Sequence, residues 1–120
     1  MPDHFIRLRR AWDAKVDGQS LRVDLPATWT SAVVPLELSR RFQRPRLGNP
    51  DEAIYLRFED VPGLVSVFLN GVRIGPTQNP GDWEVAIPQP TLSNQLLLIL
   101  DPTLVAEVDG WGKIALVIRS

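Results

Sequence analysis

From end to end this chain is cut into short runs of alternating apolar and polar residues, and none carries an i, i+3, i+4 apolar pattern for three helical turns. Side chains alternate between faces with a period of two along a strand, so the pattern specifies strands with one face buried. The 11 prolines and 8 glycines are spread rather than clustered. They part the runs about every ten residues, which is the spacing of an all-β domain. The clearest run is "VSVFLNGVRIG" (65–75), whose alternation is interrupted by Asn70-Gly71. Both residues tolerate the positive φ that a two-residue type I′ turn requires, so a β-hairpin is expected there.

Other runs behave alike. "FIRLRRAW" (5–12) sets Ile6, Leu8 and Trp12 against Arg7 and Arg9, and "LRVDL" (21–25) directs Leu21, Val23 and Leu25 inward until Pro26 stops it. "VPLELSRRF" (34–42) places Val34, Leu36 and Leu38 on one side, and "AIYLRFEDV" (53–61) places Ile54, Leu56 and Phe58 inward. "WEVAI" (83–87) alternates again, with Trp83, Val85 and Ile87 in core phase. "LLLIL" (96–100) and "IALVI" (114–118) are apolar on both faces, as central strands covered on each side would be. "PTLVAEV" (102–108) is expected to form one short helical turn at most. About eight strands of this kind predict an all-β fold of two packed antiparallel sheets, a β-sandwich or jelly roll, with a flattened barrel as the alternative.

Composition narrows the function classes. A chain of 120 residues is expected to form one domain over 1–120, with neither repeat nor linker. Its formal net charge of −1 gives no general attraction to nucleic acid or to anionic membranes. With no cysteine there is no disulfide, thiolate metal site or cysteine nucleophile. "MPDHFIRLRR" lacks the apolar stretch of a secretory signal, and "LLLIL" is too short to span a bilayer, so a soluble, cytoplasmic chain is the default expectation.

"FEDVPGLVSVFLNGVRIG" (58–75) resembles the central motif of the sugar-binding jelly-roll domain at the N-terminus of family 2 glycoside hydrolases, and more broadly the galactose-binding-like sandwiches. Phe58, Val61, Gly63, Val67, Leu69, Asn70, Gly71 and Gly75 fill the positions of that pattern. "VDLPATW" (23–29), "SRRFQRP" (39–45), "WEVAIPQPTLSNQLLLIL" (83–100) and "GWGKIALVI" (110–118) are similar to its other segments, in the same order. The chain is shorter than the usual domain of that family, with the loop between Gly75 and Trp83 pared down. The resemblance implies a galactose-binding-like fold and a non-catalytic module whose ligand is an oligosaccharide or glycan. Domains of that type often hold a structural calcium, but Asp13, Asp17 and Gly18, expected in a loop after the first strand, match no ligand motif, and no ion or other cofactor is predicted.

The residues themselves offer little to an enzyme. Glycoside hydrolysis needs two carboxylates facing each other at about 5–10 Å, whereas the acids here are scattered, and Asp82 and Glu84 flank Trp83. His4 is the single histidine and has no companion ligands, and no Gly-x-Ser-x-Gly elbow, P-loop or dinucleotide fingerprint occurs. The run "SRRFQRPR" (39–46) holds four arginines but only Phe42 for stacking, which does not make a nucleic-acid module. Sugar recognition needs an aromatic plate and polar partners. Trp29 in "PATWTS" and Trp111 in "DGWGK" lie in loop-like contexts and, with Arg41, are the candidate ligand contacts at one end of the sandwich. Phe68 is a further candidate, because it faces away from Val67 and Leu69. A competing reading is a protein-interaction or structural module that kept the fold and lost the sugar. It expects a protein partner or self-association through an exposed patch around Phe68, Val72 and Ile74.

Overall fold

A computed structural model describes residues 3–29, 34–48, 50–76, 82–87, 91–106 and 108–119. Among these, ten strands and one helical turn follow one another. They are β1 (His4–Arg7), β2 (Trp12–Val16), β3 (Gln19–Val23), β4 (Glu37–Gln43), β5 (Ala53–Glu59), β6 (Leu64–Leu69), β7 (Val72–Gly75), β8 (Trp83–Ile87), β9 (Ser93–Leu100), α1 (Pro102–Val105) and β10 (Lys113–Arg119). They form a four-stranded sheet of order β1-β10-β5-β8 and a six-stranded sheet of order β3-β2-β4-β9-β6-β7, with every pairing antiparallel. The two inner faces share one core, in which Trp12, Leu38, Leu56, Phe58, Val67, Leu96, Leu98, Val105 and Trp111 are sealed from solvent. This is the two-sheet sandwich that the alternation predicts.

The strand count exceeds the expected eight because the run 5–12 is not one strand. β1 ends at Arg7, and the chain crosses to the other sheet through Leu8–Ala11, where Ala11 takes a φ of 67°. Trp12 then opens β2, and its indole Nε1 donates to the carbonyl of Leu8 at 2.8 Å. The residues expected as a loop, Asp13 to Gly18, are instead β2 and the tight turn of a hairpin to β3. Asp17 (φ 51°) and Gly18 (φ 79°) supply that turn. Asp13 lies on the strand, where it pairs with Arg22 at 3.3 Å.

Both strands read as central are so. β10 sits between β1 and β5 and is buried on both faces. β9 sits between β4 and β6 with Leu96, Leu98 and Leu100 buried, while Leu97 and Ile99 on its outer face are half-buried. Two expected core residues are solvent-facing. Leu21 is in core phase but on the edge strand β3, where no neighbour closes over it. Leu36 precedes β4, and its backbone, not its side chain, is what ties it in, to Lys15 and Leu100. The short helical turn forms at Pro102–Val105, with Asp101 as its N-cap accepting from the amide of Thr103.

The outer face of the four-stranded sheet is closed by charge. Arg119 reaches both Asp3 (2.9 Å) and Glu84 (2.8 Å), and Arg57 reaches Glu84 (3.0 Å) and Glu59. The Arg119 guanidinium also lies 4.8 Å from the centre of the Tyr55 ring. Arg119, and after it Arg57, hold the Glu84 carboxyl below its ordinary range despite partial burial. A carboxyl with a depressed folded-state pKa contributes stability above its unfolded pKa and loses it as pH falls through the folded value. Stability is therefore expected to hold from neutral pH down to about pH 4.5 and to fall below that. Glu84→Gln is expected to cost about 1 kcal/mol at neutral pH and to flatten the acid limb. Urea midpoints measured against pH check both, and an unchanged acid limb in the variant would contradict the assignment.

Candidate functional site

Across the outer face of the six-stranded sheet the register sets one row of side chains, each pair of neighbours on adjacent strands: Arg22, Asp13, Ser39, Leu97, Phe68 and Arg73. Their sequence neighbours Ala14, Leu38, Leu98 and Val67 point the other way and are buried, so the row is solvent-facing by the period-two rule. Arg41 and Gln95 form a second pair of partners beside it, on β4 and β9. Two shallow hollows lie over these residues. One, of about 490 Å³, is floored by Phe68 and Leu97 and bounded by Asn70, Gly71 and Gln95. The other, of about 470 Å³, is lined by Ala11, Asp13, Arg22, Ser39, Arg40, Arg41 and Gln95. Gln95 lines both, so the two hollows adjoin across it and are called together the trough.

The apolar hollow is held open by the hairpin. Asn70 (φ 52°) and Gly71 (φ 84°) make the expected turn between β6 and β7. Asn70 does more than turn the chain. Its Oδ1 accepts from the Gln95 amide at 2.8 Å, its own amide donates to the Gln95 carbonyl at 2.9 Å, and its Nδ2 donates to Asn94 Oδ1 at 3.0 Å. Asn94 is the single buried polar side chain among the described residues, and its Oδ1 accepts from the Thr91 amide while its Nδ2 donates to the Thr91 carbonyl. The hairpin is thereby stitched to β9 beside Gln95.

The candidate contacts divide. Phe68 faces away from the core, as its phase predicts, and Arg41 is exposed. The sheet brings the two to opposite sides of Gln95. Trp29 and Trp111 are not at a solvent-facing rim. Trp111 is fully buried, and Trp29 is only 7% exposed. The backbones of Ala27 and Trp111 exchange hydrogen bonds at 2.9 and 2.8 Å, which sets Trp29, two residues on, against Trp111 with ring centroids 5.8 Å apart. Trp111 Nε1 donates to the Pro62 carbonyl at 2.7 Å. Their loop-like composition hides a two-residue bridge that draws both indoles into the core, so neither presents a ring face to a ligand. Trp83 is half-buried and stacks on Phe58 at 4.5 Å. The patch expected around Phe68, Val72 and Ile74 does not form, because Phe68 shares its face with Arg73 whereas Val72 and Ile74 lie on the other face of β7. Most of the loop between Gly75 and Trp83 lies outside the described residues.

Sequence reasoning missed Gln95, Leu97, Ser39 and Arg22, whose meeting depends on strand order. Among the described residues no group of three His, Asp or Glu side chains gathers as a metal site, and no helix is long and apolar enough to cross a membrane.

The fold and this face define an all-β sandwich with a trough across its larger sheet. No family model matches the chain, and no curated protein does either. Solved structures similar in fold include the FMN-binding β-glucuronidase from Facaelibacterium prausnitzii L2-6, at 15% identity and a TM-score of 0.72, over 97% of this chain and 22% of that one. A β-D-glucuronidase from Dictyoglomus thermophilum matches at 14% identity and TM-score 0.65, over 97% of this chain and 28% of its own. A β-D-mannosidase from the same organism matches at 19% and 0.61, over 82% of this chain and 16% of its own. The chain thus spans between 16% and 28% of the length of these proteins and has the fold of one part of each.

Proposed function

We propose that this chain is a non-catalytic carbohydrate-binding module of the type that the sugar-binding domain of family 2 glycoside hydrolases represents, and that it binds its saccharide on the outer face of the six-stranded sheet. The observation that carries the reading is the hollow over Phe68 and Leu97, edged by Gln95 and joined to Arg41. A sugar ring has an apolar C–H face and a rim of hydroxyls, so it is matched by an aromatic floor with a carboxamide and a guanidinium at the edge. The residue motif from Phe58 to Gly75 and the likeness in fold to parts of two glucuronidases and a mannosidase support the same reading.

Chemical-shift titration with a panel of oligosaccharides is expected to perturb the amides of Phe68, Gln95 and Leu97 before those of Trp29 and Trp111. Phe68→Ala is expected to weaken binding about tenfold by removing the floor, with little effect on folding because the ring is outside the core. A panel that shifts no resonance at millimolar concentration would refute saccharide binding and leave the protein-interaction reading. Shifts centred on Trp29 would place the site elsewhere.

A further inference from the structure

The trough has two halves of different chemistry, and a sugar ring on the apolar half with Arg41 at its edge makes no use of Arg22 and Arg40. We propose that the hollow over β3, β2 and β4 is an anion subsite, which receives a carboxylate or sulfate group carried by the saccharide that lies on Phe68. The inference rests on the saccharide reading and names its ligand class, an acidic oligosaccharide.

The hollow exists because β2 leaves β4 early. Their pairing covers Asp13–Lys15 against Glu37–Ser39 and stops, and the chain turns away at Ala11. β4 continues to Gln43 with nothing paired to that edge from β2. Arg40 stands at this break. It occupies the core phase between the buried Leu38 and Phe42, but its guanidinium is turned to the sheet end, where Nε donates to the Arg10 carbonyl at 2.7 Å and Nη1 to the Arg41 carbonyl at 3.2 Å. Those carbonyls orient the group without neutralising it, and burial lowers its pKa from the ordinary value. No carboxylate pairs with Arg40 or Arg41 among the described residues.

The charge balance is local. Three guanidiniums, those of Arg22, Arg40 and Arg41, line the hollow with one carboxylate, that of Asp13, which is already committed to Arg22 at 3.3 Å; a second carboxylate, that of Asp24, stands behind the Ala11 edge and is taken up by the Ala11 amide at 3.2 Å. This stands out on a chain of net charge −1. A half-buried guanidinium held by carbonyls alone is stabilised when an anion arrives, and the planar fork suits carboxylate and sulfate oxygens. Ser39 and Gln95 add neutral partners between this hollow and the apolar floor. From β3 to β6 the trough crosses four inter-strand spacings, about 19 Å, which accommodates several linked rings rather than one.

The test compares matched tetrasaccharides, one neutral, one bearing uronic carboxylates and one bearing sulfate esters, by calorimetry and by chemical shift at low and at raised salt. The acidic ligands are expected to bind at least about tenfold more tightly than the neutral one at low salt. That gap should shrink as salt is raised, and amides of Ser39, Arg41 and Gln95 should shift. A preference for one anion over the other identifies the group received. Arg41→Glu, at an exposed position, is expected to close the gap between acidic and neutral ligands without lowering thermal stability. Equal affinity for neutral and acidic ligands, or a gap that survives Arg41→Glu, would overturn the anion subsite while leaving the Phe68 site standing. Binding of none of the three would overturn the saccharide reading and this inference together. Tighter binding of a single-stranded oligonucleotide than of either acidic saccharide would also overturn it.

Discussion

Gly63→Ala is expected to destabilise the fold by about 2–5 kcal/mol, a large part of the 5–15 kcal/mol that holds a domain of this kind together. Gly63 has a φ of 80°, and a Cβ there would lie 2.9 Å from both Leu104 Cβ and Val105 Cγ2 and 3.1 Å from the Asp101 carbonyl. The left-handed backbone costs an L residue roughly 1–2 kcal/mol, and forcing a methyl into a packed site adds about 1–3 kcal/mol. The neighbours cannot retreat easily. Val105 is fully buried, the Asp101 amide donates to the Gly63 carbonyl at 2.8 Å, and the adjacent Pro62 carbonyl receives the Trp111 indole. Gly71→Ala separates the two contributions, since Gly71 has a φ of 84° but open space where its Cβ would be. It is expected to cost only about 1 kcal/mol. Urea midpoints with unchanged slopes measure both. If the two variants lose equal stability, the close packing of Gly63 against α1 is not what the position requires.

The motif that identified the fold thus acquires physical meaning residue by residue. Phe58 stacks on Trp83, Val61 and Val67 are buried, Gly63 admits α1, and Asn70-Gly71 turns the hairpin. Period-two alternation made most of this legible, because a face buried over four or more residues leaves its imprint in sequence. Changes of sheet do not. Ile6, Leu8 and Trp12 keep one phase, yet the chain passes from one sheet to the other between Leu8 and Trp12, and both arrangements bury the same residues. The Asp17-Gly18 hairpin carries a signal of the same kind as Asn70-Gly71, a turn dipeptide between "WDAKV" and "QSLRV", but its two strands are short enough to let the segment pass for a loop. Arg41 and Phe68 were identifiable singly as a cation and an outward aromatic. That they flank Gln95 follows only from the strand order β4-β9-β6, which no local pattern encodes. Trp29 and Trp111 misled because burial there comes from a single non-local bridge at Ala27, too short to leave alternation.

Asn94→Ala is expected to cost about 2–4 kcal/mol and to disturb the trough as well as the core. The Asn94 side chain is 1% exposed, and its amide is bonded at both ends, with Oδ1 accepting from the Thr91 amide and Asn70 Nδ2, and Nδ2 donating to the Thr91 carbonyl. Truncation leaves those partners unmatched at the start of β9, and an unmatched buried polar group costs more than the hydrogen bond itself contributes. Asn70→Gly probes the other end of the clamp, since glycine accepts the positive φ of the turn and removes only the side chain. Because the two amides bond each other, the double variant is expected to lose less stability than the sum of the single ones, by about 1 kcal/mol. Additivity would mean that the two asparagines act separately. Hydrogen exchange at the Gln95 amide, which donates to Asn70 Oδ1, reads the clamp directly and is expected to quicken in Asn70→Gly while the amides of β10 keep their protection. Gln95 bounds both hollows, so loss of the clamp that ties the hairpin to β9 also loosens the edge of the trough, and affinity at the proposed saccharide site is expected to fall in Asn70→Gly even where the core remains folded.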